Sequence, residues 1–273
     1  MPMKKEEKST KLLSKFDPKI MERIQSLRLM DDDFMTVVFS GDNKLTEFLL
    51  RILLDRTDLT VKSCLTQKEM HNIFGRSVRL DIFAIDTNGK QYNIEIQRAD
   101  KGASERRARY NQAMIDSHTL KKNDDFNLLP ETYIIFITEH DIRKKGKPIY
   151  KVEKIIDGES YDDGVHTIYV NGSYRGNDAI GRLMSDFCLS NADEMYYTEI
   201  AERVRFHKQE EGGARSMCRA FEEYGNERAE EARNEKAIEV AKDLLKENVL
   251  PVERVAAIAK LPLEQVQKLA EQL

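Results

Sequence analysis

The sequence predicts an α/β protein in which helices flank a mixed sheet and a helical extension follows at the C-terminus. Three observations lead to this fold class. Segments of alternating polar and apolar residues, typical of strands, lie between segments whose apolar residues recur every three or four positions, typical of helices. Their order along the chain is helix, three strands, helix, strand. After residue 178 the pattern is helical almost throughout. A sheet covered by helices follows from that order.

The composition is that of a soluble chain with one substantial core and a heavily charged surface. The 273 residues are 40% hydrophobic and 34% charged, and the net charge is -4. A small negative net charge does not indicate nucleic-acid binding, although a protein with such a charge can still have a local basic face. The sequence shows neither a signal-peptide core nor a run long enough to span a membrane, and its three cysteines are widely spaced. We therefore predict a cytoplasmic protein.

The first elements of the predicted sheet lie in the first hundred residues. Residues 42–56 predict a helix because their apolar residues recur at helical spacing, and Asp42 or Asn43 is suited to cap it. A first strand follows within residues 58–70. Residues 76–100 read "RSVRLDIFAIDTNGKQYNIEIQRAD" and alternate on both sides of a turn. They predict a hairpin that supplies the second and third strands.

The remaining elements of the sheet domain follow directly. Residues 103–122 contain neither proline nor internal glycine, and Ser104 is a candidate cap, so they predict a second helix. Residues 131–140, "ETYIIFITEH", form a β-rich apolar run of the kind found in the middle of a sheet. The short segment "HTIYVNG" predicts one more strand.

We divide the chain into three parts. Residues 1–30 are a charged N-terminal lead-in with some helical character, residues 31–209 are the α/β domain, and residues 210–273 are a charged helical extension. Gly212 and Gly213 mark the joint before the extension. The extension ends in two short helices that each begin near a proline. This pair resembles half of a helix-turn-helix but has no basic recognition helix, and it serves equally as a packing or homo-oligomerisation element.

The turn of the hairpin fixes which residues face each other. "DTNG" places Asp86 first and Gly89 fourth in a type I turn, with the glycine left-handed. That closure pairs Asp86 with Lys90 and puts Asp81 directly opposite Glu95. Val78, Leu80, Ile82 and Ala84 then share one face with Ile94 and Ile96, and Asp81, Glu95 and Gln97 share the other.

Two acids opposed on a strand pair call for compensation, because like charges at such positions are destabilising. A divalent cation is one solution, since Mg²⁺ takes oxygen ligands from one or two carboxylates, and Mn²⁺ can substitute for it. Gln97, two residues after Glu95, can orient a water or a phosphate beside the cation. Glu47 on the first helix is a candidate third acid. The alternative is an exposed hairpin face with two solvated acids.

A cluster of cations follows the hairpin. Such a cluster suits contacts with phosphate, because guanidinium groups pair bidentately with its oxygens. The cluster is equally explained as a solvated basic face of the helix. The ring of Tyr110 within it either stacks on a base or packs against the protein. The candidate DNA-binding residues are Arg98, Lys101, Arg106, Arg107, Arg109 and Tyr110.

Four segments together carry a family resemblance. They are "FMTVVFSGDNKLTEFLLRILL", "RSVRLDIFAIDTNGKQYNIEIQRAD", "RRARYNQAMID" and "YIIFIT". In this order, over about residues 33–210, they resemble the PD-(D/E)XK nuclease family transposases, also called recombination-promoting nucleases. The resemblance implies a restriction-endonuclease-like αβββαβ core and Mg²⁺-dependent cleavage of DNA.

The resemblance also assigns roles to residues. The metal carboxylates of the family fall on Asp81 and Glu95, and the lysine position of the superfamily falls on Gln97. The acid of the first helix falls on Glu47. The helix arginine and tyrosine of the family fall near Arg107 and Tyr110, which both belong to the candidate DNA-binding residues.

The sequence therefore predicts a metal-dependent DNA endonuclease of the transposase or recombination-promoting type. Its one departure from the superfamily pattern is Gln97, which can orient water but cannot supply the positive charge of a lysine. Two alternatives stay open. One is a catalytically inactive DNA-binding relative. The other is an interaction protein whose helical tail assembles with itself or with a partner.

Overall fold

A computed structural model describes residues 16–72, 75–98, 100–247 and 250–271, and the side chains of residues 100, 101, 224–229 and 231 lie outside this description. The chain divides into two compact units, the first ending at Cys218 and the second beginning at Arg219. Among the described residues, none of the helices combines the length and the apolar character needed to cross a membrane.

The first unit contains the predicted order of elements. It begins with three helices, α1 (Pro18–Ser26), α2 (Asp32–Phe39) and α3 (Asn43–Leu54). Strands β1 (Val61–Met70), β2 (Val78–Asp86) and β3 (Gln91–Gln97) follow, and then a one-turn 3-10 helix (Asp100–Ala103) and α4 (Glu105–Thr119). After a second 3-10 turn (Phe126–Leu128) come β4 (Thr132–Thr138), β5 (Ile149–Lys151), β6 (Ile155–Ile156), β7 (Glu159–Ser160) and β8 (Val165–Asn171). The unit continues with α5 (Ala179–Cys188), a 3-10 turn (Ala192–Glu194) and α6 (Thr198–Gln209).

Six of the strands form one mixed sheet in the order β1-β2-β3-β4-β8-β5. The pairs β1–β2 and β2–β3 are antiparallel, β3–β4 and β4–β8 are parallel, and β5 is antiparallel to β8. Strands β6 and β7 form a separate small hairpin. The mixed sheet, its flanking helices and the C-terminal helices confirm the predicted fold class.

The caps that the sequence predicts for two helices are formed. The carboxylate of Asp42 accepts a hydrogen bond from the N–H of Leu45 at 2.9 Å at the start of α3. The hydroxyl of Ser104 accepts one from the N–H of Arg107 at 3.2 Å at the start of α4. Each bond satisfies an amide that the first turn of a helix leaves without a partner, a contribution of about 1 kcal/mol.

The β2–β3 hairpin has the predicted register. Ile82 pairs with Ile94 and Ile85 with Gln91. The N–H of Asp86 donates to the carbonyl of Lys90 at 3.0 Å, and Gly89 has a φ of 83°, in the left-handed region. The three-residue loop that the turn sequence predicts is therefore confirmed.

The strict alternation that we predicted for β2 fails near its start. Leu80 packs with Phe83 in the cluster beneath α4, although the alternation places these two residues on opposite faces. The partner strand is distorted at the same level. Gln67, between the residues of β1 that pair with Ile82 and Leu80, has a φ of 52°. A non-glycine residue with a positive φ turns the backbone of β1 at this level. The regular alternation of side chains is lost at the same level of the sheet.

The segment before α2 belongs to the core of the first unit. Of the predicted lead-in, residues 1–15 lie outside the described residues. Ile24, Leu29 and Met30 are completely buried, and the N–H of Met30 donates to the carbonyl of Phe187 at 3.1 Å. Burying side chains of this size stabilises the fold by about 1.5–3 kcal/mol each.

Helix α7 (Glu211–Glu247) begins two residues after the end of α6, close to the predicted joint. A Cβ atom at Gly213 would lie 2.1 Å from the carbonyl oxygen of Phe206, so the two helices approach closely there. In the second unit, α8 (Val252–Ala259) and α9 (Leu263–Ala270) share an apolar cluster with the end of α7. The buried members of that cluster are Ala241, Val255, Ala256, Ala259, Leu261 and Val266.

Candidate active site

Asp81 and Glu95 lie where β2 and β3 separate. The pairing of the two strands ends at Ile82 and Ile94, and the next pair in the same register is Asp81 and Glu95. Instead of continuing the ladder, Oδ2 of Asp81 accepts the N–H of Ile96 at 3.0 Å. Asp81 is 7% exposed and Glu95 is 0% exposed. The structure thus brings the two predicted acids together in the interior, where the alternative of a solvated hairpin face does not apply.

Burial makes this pair of acids costly to ionise. Loss of water raises the pKa of Asp81 well above its usual value, and the charges of Glu95 and Asp32 raise it further. The N–H of Ile96 and the guanidinium of Arg107 act in the opposite direction. Burial also raises the pKa of Glu95, against the lowering effect of Arg107. Two carboxylates in this position favour a bound cation, which compensates both charges at once.

Arg107 reaches Glu95 from the first turns of α4. Its Nη2 atom lies 2.5 Å from Oε2 of Glu95, and its Nη1 atom donates to the carbonyl of Gly102 at 3.3 Å. The guanidinium also lies 5.9 Å from the centre of the Phe136 ring. Arg107 therefore fixes one oxygen of the carboxylate, and the sequence, which predicts a DNA contact for it, did not reveal this role.

The other oxygen of Glu95 lacks a well-formed hydrogen bond within the described part of the chain. Oε1 is buried and makes no hydrogen bond of good geometry with any described residue, although the side-chain amide of Asn93 and the backbone N–H of Asp81 are near enough to lower the pKa of Glu95. A buried oxygen of this kind is rare and calls for a missing ligand such as an ion or a water. Two carboxylates with one such oxygen fit Mg²⁺, which keeps several waters and takes few protein ligands. Within the described part of the chain, no group of three or more His, Cys, Asp or Glu side chains could hold a metal.

Gln97 lies two residues beyond Glu95 on β3, level with Thr138 of the neighbouring strand. The 3-10 turn after β3 folds over its side chain. A Cβ atom built on Gly102 would lie 1.8 Å from Oε1 of Gln97, so the amide occupies the space that the glycine leaves open. The position of the amide is thus determined by Gly102.

Glu47 does not join the pair. Its Oε2 atom accepts the N–H of Val61 at 3.0 Å, and its Oε1 atom pairs with Arg51 at 2.8 Å. Val61 pairs with Asp86, five residues along β2 from Asp81, which corresponds to about 16 Å of strand.

A different acid reaches the site. The charge of Asp32, at the start of α2, raises the pKa of Asp81. The only signal for this residue in the sequence is the run of three acids at positions 31–33 before an apolar helix. Such a run is also typical of a helix N-terminus, where acids are favoured by the helix dipole.

The predicted DNA-binding residues divide into two groups. Arg106 and Arg109 are exposed on α4 and form no ion pair within the described chain. Arg98 is engaged, since it pairs with Asp31 at 2.8 Å and with Glu139 at 3.2 Å. The hydroxyl of Tyr110 donates to the carbonyl of residue 76 at 2.5 Å, so its ring is held against the protein. The side chain of Lys101 lies outside the described residues.

One strained residue of β1 lies level with Asp81. Gln67, whose φ of 52° is noted above, lies at the level of Asp81. Its Nε2 atom donates to the hydroxyl of Thr36 at 2.9 Å, and its buried Oε1 atom has no partner among the described residues. Backbone strain of this kind costs about 1–3 kcal/mol and clusters at functional sites.

One of three comparisons with known proteins found a match. A family model described as PD-(D/E)XK nuclease family transposase matches residues 7–171, which is more than half of the chain. No curated protein and no solved structure matches the chain. The matched region contains β2, β3, α4 and β4, and with them every residue of the site described above.

Proposed function

The chain belongs to the PD-(D/E)XK nuclease family transposases, and we propose that it is a metal-dependent endonuclease that hydrolyses DNA phosphodiester bonds. The family implies a DNA substrate, and its nucleases typically use divalent metals. The observation that carries the proposal is the pair of buried carboxylates, Asp81 and Glu95, in which Oε1 of Glu95 makes no well-formed hydrogen bond with a described residue.

Asp81 and Glu95 are the residues that would hold Mg²⁺, or Mn²⁺ in its place. A divalent cation supplies Lewis-acid polarisation of the scissile phosphate and lowers the pKa of a water. We include Asp32 because its charge acts on Asp81, and we leave Glu47 out because its carboxylate is engaged about 16 Å along the strand.

The other residues of the site position the reacting groups. Arg107 holds Oε2 of Glu95, so that Oε1 faces the site. The amide of Gln97, packed on Gly102, orients the attacking water through a hydrogen bond but adds no positive charge. Arg106 and Arg109 bind the phosphates that flank the scissile bond, since guanidinium groups match phosphate oxygens in geometry and charge.

One observation favours a second candidate, a DNA-binding relative without catalytic activity. The guanidinium of Arg107 already neutralises part of the charge on Glu95, and Gln97 stands at the lysine position of the superfamily. A protein of this kind keeps the basic surface of α4 but binds divalent metal weakly. The two candidates differ in whether Mg²⁺ stabilises the fold.

A nicking assay on supercoiled plasmid tests the proposal. The wild type should convert the plasmid to the open circle with Mg²⁺ or Mn²⁺ and not with EDTA. Asp81→Asn and Glu95→Gln should abolish nicking, and Glu159→Gln, which neutralises an exposed acid in β7, should not change it. A wild type that is inert with each metal and is not stabilised by either of them excludes the endonuclease and leaves the inactive relative.

We also propose a cytoplasmic protein that self-associates through its second unit. Cys64, Cys188 and Cys218 form no disulfide within the described chain, which suits a reducing compartment. Ile258 and Leu263 of the second unit are 47% and 41% exposed, and they offer apolar area to another copy. Light scattering of the wild type and of Ile258→Lys tests this, and a wild type that is monomeric at high concentration excludes it.

A further inference from the structure

A turn rich in lysine follows β4, and its backbone is organised by one carboxylate. We call residues 143–147, with the sequence Arg-Lys-Lys-Gly-Lys, the basic turn; all five are exposed. Oδ1 of Asp141 accepts the N–H groups of Arg143 at 3.0 Å and Lys144 at 2.9 Å, and Oδ2 accepts that of Gly146 at 2.8 Å. These three bonds fix the backbone of the turn, and the side chains of Lys144, Lys145 and Lys147 are exposed to solvent.

The basic turn is also tied to the sheet. The hydroxyl of Tyr150, in β5, lies 2.8 Å from Oδ1 of Asp141 and accepts the N–H groups of Lys145 at 3.3 Å and Lys147 at 3.2 Å. The ring of Tyr150 packs against the cluster beneath α4. A backbone held in this way loses little further freedom when its side chains bind a ligand, which lowers the entropic cost of binding.

Four cations of the basic turn stand against two carboxylates, Asp141 and Glu105, so about half of its charge is uncompensated. Arg143 pairs with Glu105 at 2.8 Å and lies 5.2 Å from the centre of the Tyr169 ring, so it is held in place. The three lysines of the turn form no ion pair with any described residue. Glu139, a nearby acid in the sequence, is neutralised by two arginines at 3.0 and 3.2 Å.

The position of the basic turn relates it to the candidate active site. Thr138, the last residue of β4, pairs with Gln97, and the N–H of Glu139 donates to the carbonyl of Gln97 at 3.0 Å. The contact of Arg143 with Glu105 fixes the turn to the first turn of α4, two residues before the arginine that holds Glu95. The turn therefore lies at the same end of the sheet as the two acids, next to the exposed arginines of α4.

We propose that the basic turn binds the phosphate backbone of duplex DNA beside the cleavage site through Lys144, Lys145 and Lys147. The choice of DNA as the partner rests on the proposed function. Lysine ammonium groups bind phosphate as point charges and read no base, so this contact holds the duplex in place without selecting its sequence. Each phosphate that is neutralised steepens the dependence of affinity on salt by about 0.9 in the logarithmic slope.

The test compares two triple variants with the same loss of charge. Lys144, Lys145 and Lys147 are replaced by Gln in one variant. The control replaces Lys62, Lys121 and Lys122, which are exposed at the other end of the sheet. Lys62 lies beside the turn of the hairpin, and Lys121 and Lys122 follow Thr119, which contacts Gln91 at the start of β3.

Affinity for a labelled duplex of random sequence is measured in EDTA, so that no cleavage occurs, between about 50 and 200 mM NaCl. The turn variant should bind roughly tenfold or more weakly than the wild type at the lowest salt, with a slope flatter by about 2.7. The control variant should bind like the wild type. Equal affinity and slope in the two triple variants would overturn the inference.

Nicking by the same proteins separates this inference from the proposed function. If no protein nicks plasmid but the turn variant alone loses affinity, the endonuclease is excluded and the DNA-binding turn stands. If the wild type and both variants nick alike and bind alike, the endonuclease stands and the turn has no role in binding.

Discussion

The guanidinium of Arg107 and the carboxylate of Glu95 form an ion pair inside the candidate active site, with Nη2 2.5 Å from Oε2. Glu95 is completely buried, whereas the side chain of Arg107 is 38% exposed. The charge of Arg107 thus opposes the effect of burial on the pKa of Glu95, and its Nη2 atom fixes one oxygen of that carboxylate.

Removal of Arg107 should therefore affect stability as well as activity. Arg107→Ala leaves the carboxylate of Glu95 buried without its cation, and we expect unfolding free energy to fall by about 2 kcal/mol. Arg106→Ala, its exposed neighbour, should change stability by less than about 0.5 kcal/mol. Urea unfolding measures both. The double variant Arg107→Ala/Glu95→Gln should recover part of the loss, and an Arg107→Ala protein as stable as Arg106→Ala would contradict the pairing.

The hairpin could be predicted because its register depends on local chemistry. A type I turn with glycine at its end fixes the opposed residues, and the two acids follow from counting. The caps at Asp42 and Ser104 were equally local.

The roles of Arg107, Asp32 and Glu47 could not be predicted, because each depends on packing between distant segments. The spacing of the charged residues in α4 shows which face of the helix they share. It does not show which carboxylate each guanidinium pairs with. The sequence offered two helices with acids, and only the packing of the sheet decides that α2 acts on Asp81 whereas Glu47 caps the start of β1. The basic turn was missed for a similar reason, since its sequence alone is that of an ordinary connecting loop.

The second prediction concerns the cost of the buried acids without a cation. In EDTA, Asp81→Asn should be more stable than the wild type, because it removes a carboxylate whose pKa burial and the charge of Glu95 raise. Mg²⁺ should raise the melting temperature of the wild type by mass action and should leave that of Asp81→Asn unchanged. Glu159→Gln is the control and should respond like the wild type. Thermal melts with and without Mg²⁺ measure this, and an equal response in Asp81→Asn would remove Asp81 from the metal site.

The third prediction concerns acid stability and a histidine outside the site. His207 of α6 is 3% exposed, and its ring makes no hydrogen bond of good geometry with a described residue, although the backbone of Gly213 lies near it. Burial, together with the charge of Arg203, lowers its pKa from 6.5 to about 4. The unfolded chain therefore binds more protons between these two values, so stability is lost as the pH falls from about 6.5 to 4.

Protonation of His207 should lower the free energy of unfolding by about 3 kcal/mol as the pH falls from about 6.5 to 4. Unfolding free energies at neutral and acidic pH should show it in the wild type and in His71→Gln, an exposed control. His207→Gln should lack this component of the pH dependence, whatever its stability at neutral pH. If all three proteins lose the same amount, His207 is not the group that titrates.

The last prediction separates the chemistry at Gln97 from metal binding. Gln97→Ala removes the amide that we propose orients the attacking water, and nicking should fall about 10²–10⁴-fold while the response of the melting temperature to Mg²⁺ is kept. Gly102→Ala tests the same role without changing Gln97. The added Cβ would lie 1.8 Å from the amide oxygen, and a flexible side chain can move away, so the protein should fold with the amide displaced.

Because both changes act on one amide, their effects on nicking should not add. The double variant Gln97→Ala/Gly102→Ala should nick no more slowly than Gln97→Ala alone. Gln97→Lys restores the positive charge of the superfamily and should raise activity if the longer side chain fits beside Gly102. Nicking by Gln97→Ala at the wild-type rate, with Asp81→Asn and Glu95→Gln inactive, would keep the metal site and remove Gln97 from the mechanism.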